Sequence, residues 1–280
     1  MKKMILTAML LALAGGIFAQ DNSGNYITFD FGTGLQSLLY KIDGFENKLG
    51  AGVKVGLGYK RLFNDHIGLL AGVQFANYNR SATAAFVQSI DNAIDEDGNN
   101  YTHRTSFNNL KERQKSGQIM IPVEFVYVTA LGEKFKFQAD GGLYAGFSVG
   151  SSFRTVDGNL DTRRYYYEQD LVVDGDYPQH SLYTANEFSG SYDLKASFGG
   201  LMSLRLLYPV DDKFTLTAGF YGMISFTSVI TKSENILYDP DCMSIDAYSD
   251  THYNGVLNSA LADKVKPFGV GMMVGFEYGF

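Results

Sequence analysis

Apolar side chains occupy every second position along most of this chain. From residue 51 to residue 59 the odd positions are Ala, Val, Val, Leu and Tyr, and the even positions are glycine or lysine. Successive side chains of a β-strand point to opposite faces, so each such segment predicts a strand with one wholly apolar face. Eight segments follow this pattern: 26–32, 49–62, 67–76, 119–127, 135–149, 196–208, 214–226 and 268–280.

Strands of this kind fit either a water-soluble β-sandwich, which buries its apolar faces, or a transmembrane barrel, which turns them towards lipid. The apolar rows have about the 9 to 11 residues, or slightly more, that a tilted strand needs to cross a bilayer. In a sandwich the second face would carry many exposed charges. Here it is largely glycine with a few isolated charges, which suits a cramped interior and favours the barrel.

The connections between the predicted strands are alternately short and long. Short turns lie near residues 64, 132 and 211, whereas four connections are long: 34–48, 80–115, 150–191 and 227–264. Short turns at one rim and long loops at the other are typical of outer-membrane barrels. The sequence therefore predicts an all-β fold, an eight-stranded antiparallel up-and-down transmembrane β-barrel with long extracellular loops and short periplasmic turns.

Composition limits the other classes of protein that the chain could be. A length of 280 residues suits one all-β domain, which we place at residues 20–280. The single cysteine excludes a disulfide framework and a thiolate-rich metal site. A net charge of −7 argues against nucleic acid as a partner, because nucleic acid selects for a basic face.

The first residues have the pattern of a secretory signal peptide. Lys2 and Lys3 form a basic start, residues 4–14 are apolar, and Ala19 supplies a small residue before Gln20. The apolar part is too short for a stop-transfer helix, so we expect cleavage after Ala19 rather than an uncleaved anchor. Residues 1–19 are thus predicted to direct the chain through the inner membrane.

Aromatic residues of the apolar phase fall near both ends of the predicted strands, where the membrane interfaces would lie. Those beside the short turns are Tyr59, Tyr127, Phe135, Tyr208, Phe214 and Tyr278. Those placed towards the long loops are Phe29, Phe75, Phe147, Phe226 and Phe268. The pattern predicts two aromatic girdles.

Three segments resemble a known family. They are Gly141-Gly142-Leu143-Tyr144-Ala145-Gly146-Phe147, Ile121-Pro122-Val123 and the final Val274-Gly275-Phe276-Glu277-Tyr278-Gly279-Phe280. With them the chain is similar to the small eight-stranded outer-membrane barrels, in particular the PorT-like and OmpX-like outer-membrane β-barrel domain group. The resemblance implies that the terminal aromatic row, Phe276, Tyr278 and Phe280, is the signal read by the barrel assembly machinery.

The interior of an eight-stranded barrel is only just wide enough for its side chains to fill. Its inward phase carries charges of both signs near the short-turn rim, and an unpaired charge in so confined a place is unfavourable. We therefore expect a mutually paired cluster that closes the lumen. Its predicted members are Lys60, Glu124, Lys136, Asp140, Arg205 and Glu277. The alternative is an ion path or proton relay.

The long loops should carry any specific function, because the barrel is a rigid mount for them. The run Tyr165-Tyr166-Tyr167 is either a binding patch for a protein or glycan, or the cover of an extended sheet. The turn signal Asp174-Gly175 predicts that the fifth and sixth strands extend as a hairpin. Phe86, Ile90 and Ile94 have helical spacing and predict a short helix.

The fourth loop contains several aspartates and the only cysteine, Cys242. An acidic rim would suit divalent cations that bridge anionic lipid headgroups, or it is simply a solvated surface. Cys242 is either a free thiol or an intermolecular link.

The chain carries no convincing catalytic, cofactor or metal motif. His66 lies in a short turn, and the other histidines lie in separate long loops. Asp95 to Asn99 resembles a calcium loop, but Ala93 and Arg104 occupy its first and last ligand positions. We therefore predict neither a cofactor nor an enzyme.

These observations predict an integral outer-membrane protein that acts structurally or by binding at the cell surface. The expected partners are outer-membrane lipid and lipopolysaccharide, the barrel assembly machinery, and an extracellular protein or glycan. The alternatives are a narrow pore or transport component, and an accessory factor in envelope assembly or secretion, which the PorT resemblance would imply.

Overall fold

The computed structural model describes residues 24–94, 97–173, 182–184, 188–231, 233, 235–239 and 253–280. The predicted signal peptide 1–19, the Asp174-Gly175 turn and Cys242 lie outside the described residues. No helix in the described part of the chain is long and apolar enough to cross a membrane.

Thirteen strands and one short 3₁₀ helix, Val256–Asn258, occupy the described residues. The strands are β1 (Asn25–Leu39), β2 (Phe45–Leu49), β3 (Ala51–Leu62), β4 (Ile67–Ala84), β5 (Val87–Ile94), β6 (Asn100–Leu131), β7 (Phe135–Tyr166), β8 (Leu171–Val173), β9 (Leu182–Thr184), β10 (Ser189–Ser191), β11 (Ser197–Pro209), β12 (Phe214–Ser225) and β13 (Lys266–Gly279).

Eight of these strands form a closed antiparallel ring. The pairings run β1–β3–β4–β6–β7–β11–β12–β13, and β13 pairs back with β1 over residues 266–279. Ring neighbours therefore follow chain order, which is the up-and-down topology predicted from the sequence. The other five strands are short and lie in the long connections: β2 pairs with β4, β5 with β6, and β8, β9 and β10 with β7.

The apolar phase of the ring points outward, as the barrel prediction required. Val123, Leu143 and Val270 have exposed fractions of 46%, 50% and 43%. The alternate side chains are buried in the lumen, and they include Asp30, Lys54, Lys60, Gln74, Glu124, Gln138, Asp140, Arg205 and Glu277. A water-soluble sandwich would show the opposite arrangement.

One aromatic residue lies in a different girdle from the one predicted. Phe29 pairs with Phe276, and their rings stack at 5.5 Å. Phe276 is close to the end of β13 at the short-turn rim, so Phe29 belongs to that half of the barrel. The direction of β1 decides this position, because β1 starts at the short-turn rim and not at the loop rim.

Side-chain carboxyl and amide oxygens stabilise two of the three short turns. Asn64 Oδ1 accepts the backbone N–H groups of His66 and Ile67 at 2.9 and 2.8 Å. Asp211 Oδ1 accepts those of Lys213 and Phe214 at 2.8 and 2.7 Å, and these bonds lower the pKa of the Asp211 carboxyl. Both are Asx turns, which allow tight reversal of the strand.

The long connections are much more ordered than the predicted loops. β6 and β7 have 32 residues each, about three times the length that a tilted strand needs to span a bilayer. They pair with each other almost to their distal ends, Thr102 opposite Tyr165. The fifth and sixth barrel strands were predicted to extend as a hairpin, and the structure bears this out in part. β7 extends with β6 on one side, and the short strands β8, β9 and β10 return along its other side before β11 begins at Ser197.

The prediction of a helix around Phe86 and Ile90 is wrong. Residues 87–94 form β5, which pairs with β6 from Val87 opposite Ser106. A spacing of four residues returns to the same face of a strand as well as of a helix, so the spacing could not separate the two. Phe86 stacks on Phe107 at 4.7 Å, a cross-strand partner that the sequence pattern does not reveal.

Above the outward apolar band, the extended strands and the connections enclose an apolar core of their own. This core joins side chains of the upper ring to the segments 188–194, 229–238 and 253–265. We call the part of the molecule beyond the apolar band, from the level of Lys115 on β6 to the distal end of β7, the head. The head is thus a folded unit continuous with the barrel.

Candidate functional site

Buried ion pairs cross the lower lumen from one strand to another. Lys60 on β3 donates to the Glu277 carboxylate on β13 and to Gln138 Oε1 on β7 at 3.0 Å. Arg205 on β11 binds Asp30 on β1 at 2.9 Å and Asp140 on β7 at 2.9 Å. These five strands surround the lumen, so the pairs tie its walls together.

Hydrogen bonds connect the two sets of ion pairs into one network. Gln138 Nε2 donates to Asp140 Oδ1 at 2.8 Å, which links the Lys60 pair to the Arg205 pair. Ser203 donates to the other oxygen of Asp140 at 2.7 Å. These bonds run across the lumen, and the side chains that form them are almost completely buried.

Two of the six predicted cluster members are placed differently from the other four. Lys136 is exposed, so the expectation that it joins the lumen cluster is wrong. It lies one residue from the start of β7, where the side chain reaches solvent at the rim. Glu124 is buried in the lumen, but neither carboxylate oxygen has a hydrogen-bond partner among the described residues. Asp30, which is not one of the six predicted members, joins the paired network through Arg205.

Bulky side chains fill the lumen above the charged network. Lys54 Nζ lies 4.4 Å from the centre of the Tyr221 ring, and the Gln36 amide contacts Tyr221 Oη at 2.7 Å. Higher still, Tyr78 Oη lies 3.6 Å from Met223 Sδ and 3.7 Å from Met120 Sδ. The lumen therefore changes from charged to apolar along its axis, and both layers are filled by side chains.

One fully buried carboxylate, Glu112, connects several segments of the head. Its oxygens accept hydrogen bonds from Tyr192, from Tyr253 at 2.8 Å and from the backbone N–H of Val256 at 3.0 Å. Gln114 also donates to Glu112 at 2.7 Å. The residues come from β6, from the segment after β10, and from the segment before β13, so Glu112 joins three parts of the chain.

The first connection of the barrel is bound to the same group. Tyr40 donates to Gln114 Oε1 at 2.9 Å. The Arg80 guanidinium lies 4.0 Å from the Tyr40 ring and donates to the carbonyl oxygens of Leu38 and Tyr40 at 2.6 and 3.0 Å. We define the Glu112 hub as Glu112 with Gln114, Tyr192, Tyr253 and Val256. The hub is therefore linked to all the long connections except for the β5 hairpin.

Burial raises the pKa of the Glu112 carboxyl above its ordinary value, while the hydrogen bonds from Tyr192, Gln114, Val256 and Tyr253 act in the opposite direction. Burial also raises the pKa of Tyr192 and Tyr253, with the nearby Glu112 carboxylate as the next cause. The hub is thus an enclosed polar group that lies against the apolar cluster of the head.

Sequence reasoning missed the Glu112 hub because it placed residue 112 in an unstructured loop. A usable signal exists in the segment Lys111-Glu112-Arg113-Gln114-Lys115, where basic residues occupy every second position. That period indicates a strand with Glu112 and Gln114 on the other face. The partners Tyr192 and Tyr253 are 80 and 141 residues away, and no local pattern identifies them.

The tyrosine run lies at the distal end of β7. Tyr165 donates to Asp170 Oδ1 at 2.9 Å, and the Arg104 guanidinium lies 5.0 Å from its ring. Tyr166 packs at 5.6 Å from Tyr101 on β6, and Tyr167 contacts the Thr102 hydroxyl while 43% of it stays exposed. The three rings therefore cover the end of the sheet and leave part of Tyr167 in contact with solvent.

The terminal aromatic row is on the outer surface of β13. Phe276 stacks between Phe29 and Phe214 at 5.5 Å on each side, and Phe280 lies 6.5 Å from Tyr59. Tyr278 is also exposed on this face. These contacts lie where β13 closes the ring between β12 and β1.

The groups available for catalysis or metal binding are dispersed. His66 lies in a short turn with Nδ1 2.9 Å from the carbonyl oxygen of Val128, whereas His103 is buried in the head. No group of three or more His, Cys, Asp or Glu residues that could hold a metal ion occurs in the described part of the chain. His180, His252 and Asp95 lie outside it.

The fold and the lumen define a class of architecture: a small, side-chain-filled barrel with an apolar outer surface and a folded head. No protein-family model matches the chain, and no curated protein matches it. Solved structures give remote matches. Neisserial surface protein A is 10% identical, with 93% of this chain and 100% of that chain covered and a TM-score of 0.38.

The outer membrane protein OprG of Pseudomonas aeruginosa is 13% identical, covers 92% of this chain and 96% of its own, and has a TM-score of 0.39. A third match is Ail, the attachment invasion locus protein of Yersinia pestis, in complex with the heparin analogue sucrose octasulfate. It is 13% identical, with 92% of this chain and 99% of that chain covered and a TM-score of 0.33. Because these TM-scores are low, the conclusions below rest on the residues of this chain.

Proposed function

We propose that this protein is an integral outer-membrane barrel that conducts no solute and acts, without catalysis, through its folded head at the cell surface. The observation that carries the proposal is the combination of an outward apolar band with a lumen crossed by the Lys60–Glu277 and Arg205–Asp30 pairs. A protein with this outer surface is stable only in a lipid environment. Its filled interior leaves the head as the part that can meet other molecules.

We also propose how the chain is delivered to that membrane. We propose that residues 1–19 are cleaved on export, so the mature chain begins at Gln20. The barrel assembly machinery then reads the exposed row Phe276, Tyr278 and Phe280, since β13 is the strand that closes the ring. An extracellular protein or glycan is the partner proposed for the head, with Tyr165, Tyr166 and Tyr167 at its distal end as a candidate contact.

Residue labelling on intact cells tests the location and the orientation. In a Cys242→Ser background, Val87→Cys places a thiol on exposed β5 of the head, and Glu133→Cys places one in the short turn after β6. A maleimide that cannot cross membranes should label Val87→Cys on intact cells and Glu133→Cys only after the outer membrane is permeabilised. Equal labelling of both, or recovery of the protein in the soluble fraction, would contradict the proposal.

The filled lumen supports a non-conducting barrel over the alternative of a narrow pore. Purified protein in planar bilayers should give no stable, size-selective conductance. A reproducible, size-selective channel of the purified wild-type protein would favour the pore. A role in envelope assembly, as a PorT-like relationship would imply, predicts instead that other envelope proteins copurify with the chain.

A further inference from the structure

Five strands of the head carry a transverse row of outward-facing side chains next to the apolar band. Along the row, Lys48 of β2 is opposite Ser81 of β4, Ser81 is opposite Arg113 of β6, and Arg113 is opposite Arg154 of β7. Ser189 of β10 completes it beside Arg154. Adjacent strands are roughly 4.8 Å apart, so the row presents three cations over a short distance.

The side chains of this row point away from the apolar core of the head. Arg113 and Arg154 are exposed, and their chain neighbours Glu112, Gln114, Phe153 and Thr155 are buried. Lys115 is exposed on the same face two residues below Arg113, opposite Ser152. We call Lys48, Arg113, Arg154 and Lys115 the basic row.

Within the part of the chain that the structure describes, the basic row has too few carboxylates to neutralise it. Lys48 pairs with Glu46 at 3.2 Å, but no carboxylate of the described residues forms an ion pair with Arg113, Arg154 or Lys115. The next outward row up contains Lys111 opposite Asp157, with Glu46 two strands away, so acidic side chains predominate there. Like charges placed directly opposite each other destabilise a sheet, and Arg113 opposite Arg154 is such a pair.

An anion bound between the two guanidinium groups would remove this repulsion. Arginine binds phosphate oxygens through two parallel N–H bonds, and serine hydroxyls supply further donors. The hydroxyls of Ser81, Ser152 and Ser189 lie on the same face. The chemistry of the row therefore fits a phosphate group.

The level of the row on the barrel identifies where that phosphate comes from. An added Cβ at Gly117 would lie 3.2 Å from Phe75 and 3.4 Å from Val149, so these two apolar side chains flank Gly117 at the upper edge of the lipid-facing band. Lys115 is two residues higher on the strand, about 7 Å along it, and Arg113 is about 13 Å along it. With the usual strand tilt, the row lies at headgroup level, within reach of flexible cationic side chains.

We infer that the basic row binds the phosphate groups of anionic lipid headgroups in the outer leaflet, with Arg113 and Arg154 as the principal ligands. The inference rests on the proposed location in the outer membrane and adds a fixed lateral site for one lipid class. The site lies on the β4–β6–β7 wall, so phosphorylated lipid associates with one side of the barrel.

The test uses the full-length chain, refolded into phosphatidylcholine vesicles that contain either a bisphosphorylated glycolipid or the same glycolipid without phosphate. After extraction in mild detergent, lipid retained by the protein is counted by native mass spectrometry. Two charge-assisted bidentate contacts predict a preference of about tenfold for the phosphorylated lipid. The Arg113→Gln/Arg154→Gln variant should reduce that preference to within about twofold.

The matched control is Lys264→Gln/Lys266→Gln, which removes two cations near the upper end of β13, on the opposite wall of the ring. This control should keep the preference, because its two lysines lie far from the basic row. If the preference came only from the overall positive charge, the control would lower it as much as the double arginine variant. If the double arginine variant does not refold, Lys115→Gln should lower the preference by several-fold. Equal retention of both glycolipids by the wild-type chain would overturn the inference.

Inorganic phosphate separates a lipid site from a site for a free anion. Millimolar inorganic phosphate should neither displace the bound glycolipid nor raise the melting temperature of the lipid-free protein. Stabilisation by inorganic phosphate equal to that by the lipid would overturn the lipid assignment. If neither the wild-type chain nor any variant inserts into vesicles, the proposed function fails. If all of them insert and none prefers the phosphorylated glycolipid, only this inference fails.

Discussion

At the scale of single residues, the lumen is organised by pairs of opposite charge that lie far apart in the chain. Lys60 and Glu277 are separated by 217 positions, and Arg205 and Asp30 by 175. Each charge is buried, so each depends on its partner for stabilisation. The inward phase of the sequence identifies which side chains enter the lumen, but the partners follow from strand register.

Replacing one member of such a pair should destabilise the barrel strongly. Lys60→Met leaves the Glu277 carboxylate buried without its cation, and breaking a buried pair costs about 3 to 5 kcal/mol. The melting temperature in detergent should fall well below that of the wild type. Lys136→Met is the control, because Lys136 is exposed and should change the melting temperature little. Equal effects of the two substitutions would show that lumen pairing is not what stabilises the barrel.

The Glu112 carboxyl gives the head a predicted dependence on pH. Because burial raises its pKa in the folded head, the folded state holds this proton more tightly than the unfolded chain. The resulting stabilisation is fully present below the unfolded pKa, about 4.3, and is lost as pH rises through the folded value.

Amide exchange at Val256, whose N–H donates to Glu112, measures this effect. After correction for intrinsic exchange rates, protection should decrease as pH rises from about 4.5 to 8. Glu112→Gln should abolish this dependence, since glutamine does not titrate. Protection that increases with pH in the wild-type chain would contradict the prediction.

At the scale of elements, close backbone contact between strands determines where glycine is required. An added Cβ at Gly142 of β7 would lie 2.0 Å from the carbonyl oxygen of Val123 on β6, whereas nothing lies within 4 Å of one at Gly141. Two adjacent glycines therefore have different roles. The sequence pattern placed them on opposite faces but could not reveal this contact.

Gly142→Ala should weaken the β6–β7 pairing, because the clash is with backbone that cannot rotate away. Overpacking of this kind typically costs about 1 to 3 kcal/mol. Urea unfolding in vesicles should show a lower midpoint for Gly142→Ala, while Gly141→Ala stays near the wild type. A normal midpoint for Gly142→Ala would mean that the strands separate more easily than their register implies.

The long connections show where element-level prediction fails. Phe86 and Ile90 predicted a helix, yet β5 forms because β6 offers a free edge for pairing. The strand extensions of β6 and β7 were assigned to long loops because the apolar alternation covers only residues 119–127 and 135–149. The inward residues of the extensions include polar groups such as Glu112 and Gln114. Those groups become acceptable inside the head only through partners on other segments.

At the scale of the whole molecule, an apolar outer band, a filled lumen and a folded head form one continuous structure. The apolar band suits lipid on its outer surface, and the buried side chains fill the lumen. The head extends the β6–β7 sheet beyond the band, and the basic row lies at the upper edge of the band.

A charge at the middle of the band should oppose membrane insertion. Leu143 lies near the middle of the apolar row of β7 with half of its surface exposed. Arginine on the lipid face at mid-depth costs about 2 to 4 kcal/mol. Leu143→Arg should therefore reduce the folded fraction in vesicles, whereas Val87→Arg on the exposed head should not. Normal insertion of Leu143→Arg would argue against lipid contact at this face.

The amino-acid sequence by itself determined the strand pattern of the ring and the face that most of its side chains take, because alternation is a local property of extended backbone. It also indicated the all-β class, the alternation of short and long connections, and most members of the lumen set. Only the tertiary structure decided that Lys136 stays outside the lumen while Asp30 binds Arg205, and that Glu112 joins Tyr192 to Tyr253. Such contacts depend on ring closure and strand register, which arise from the packing of the whole chain.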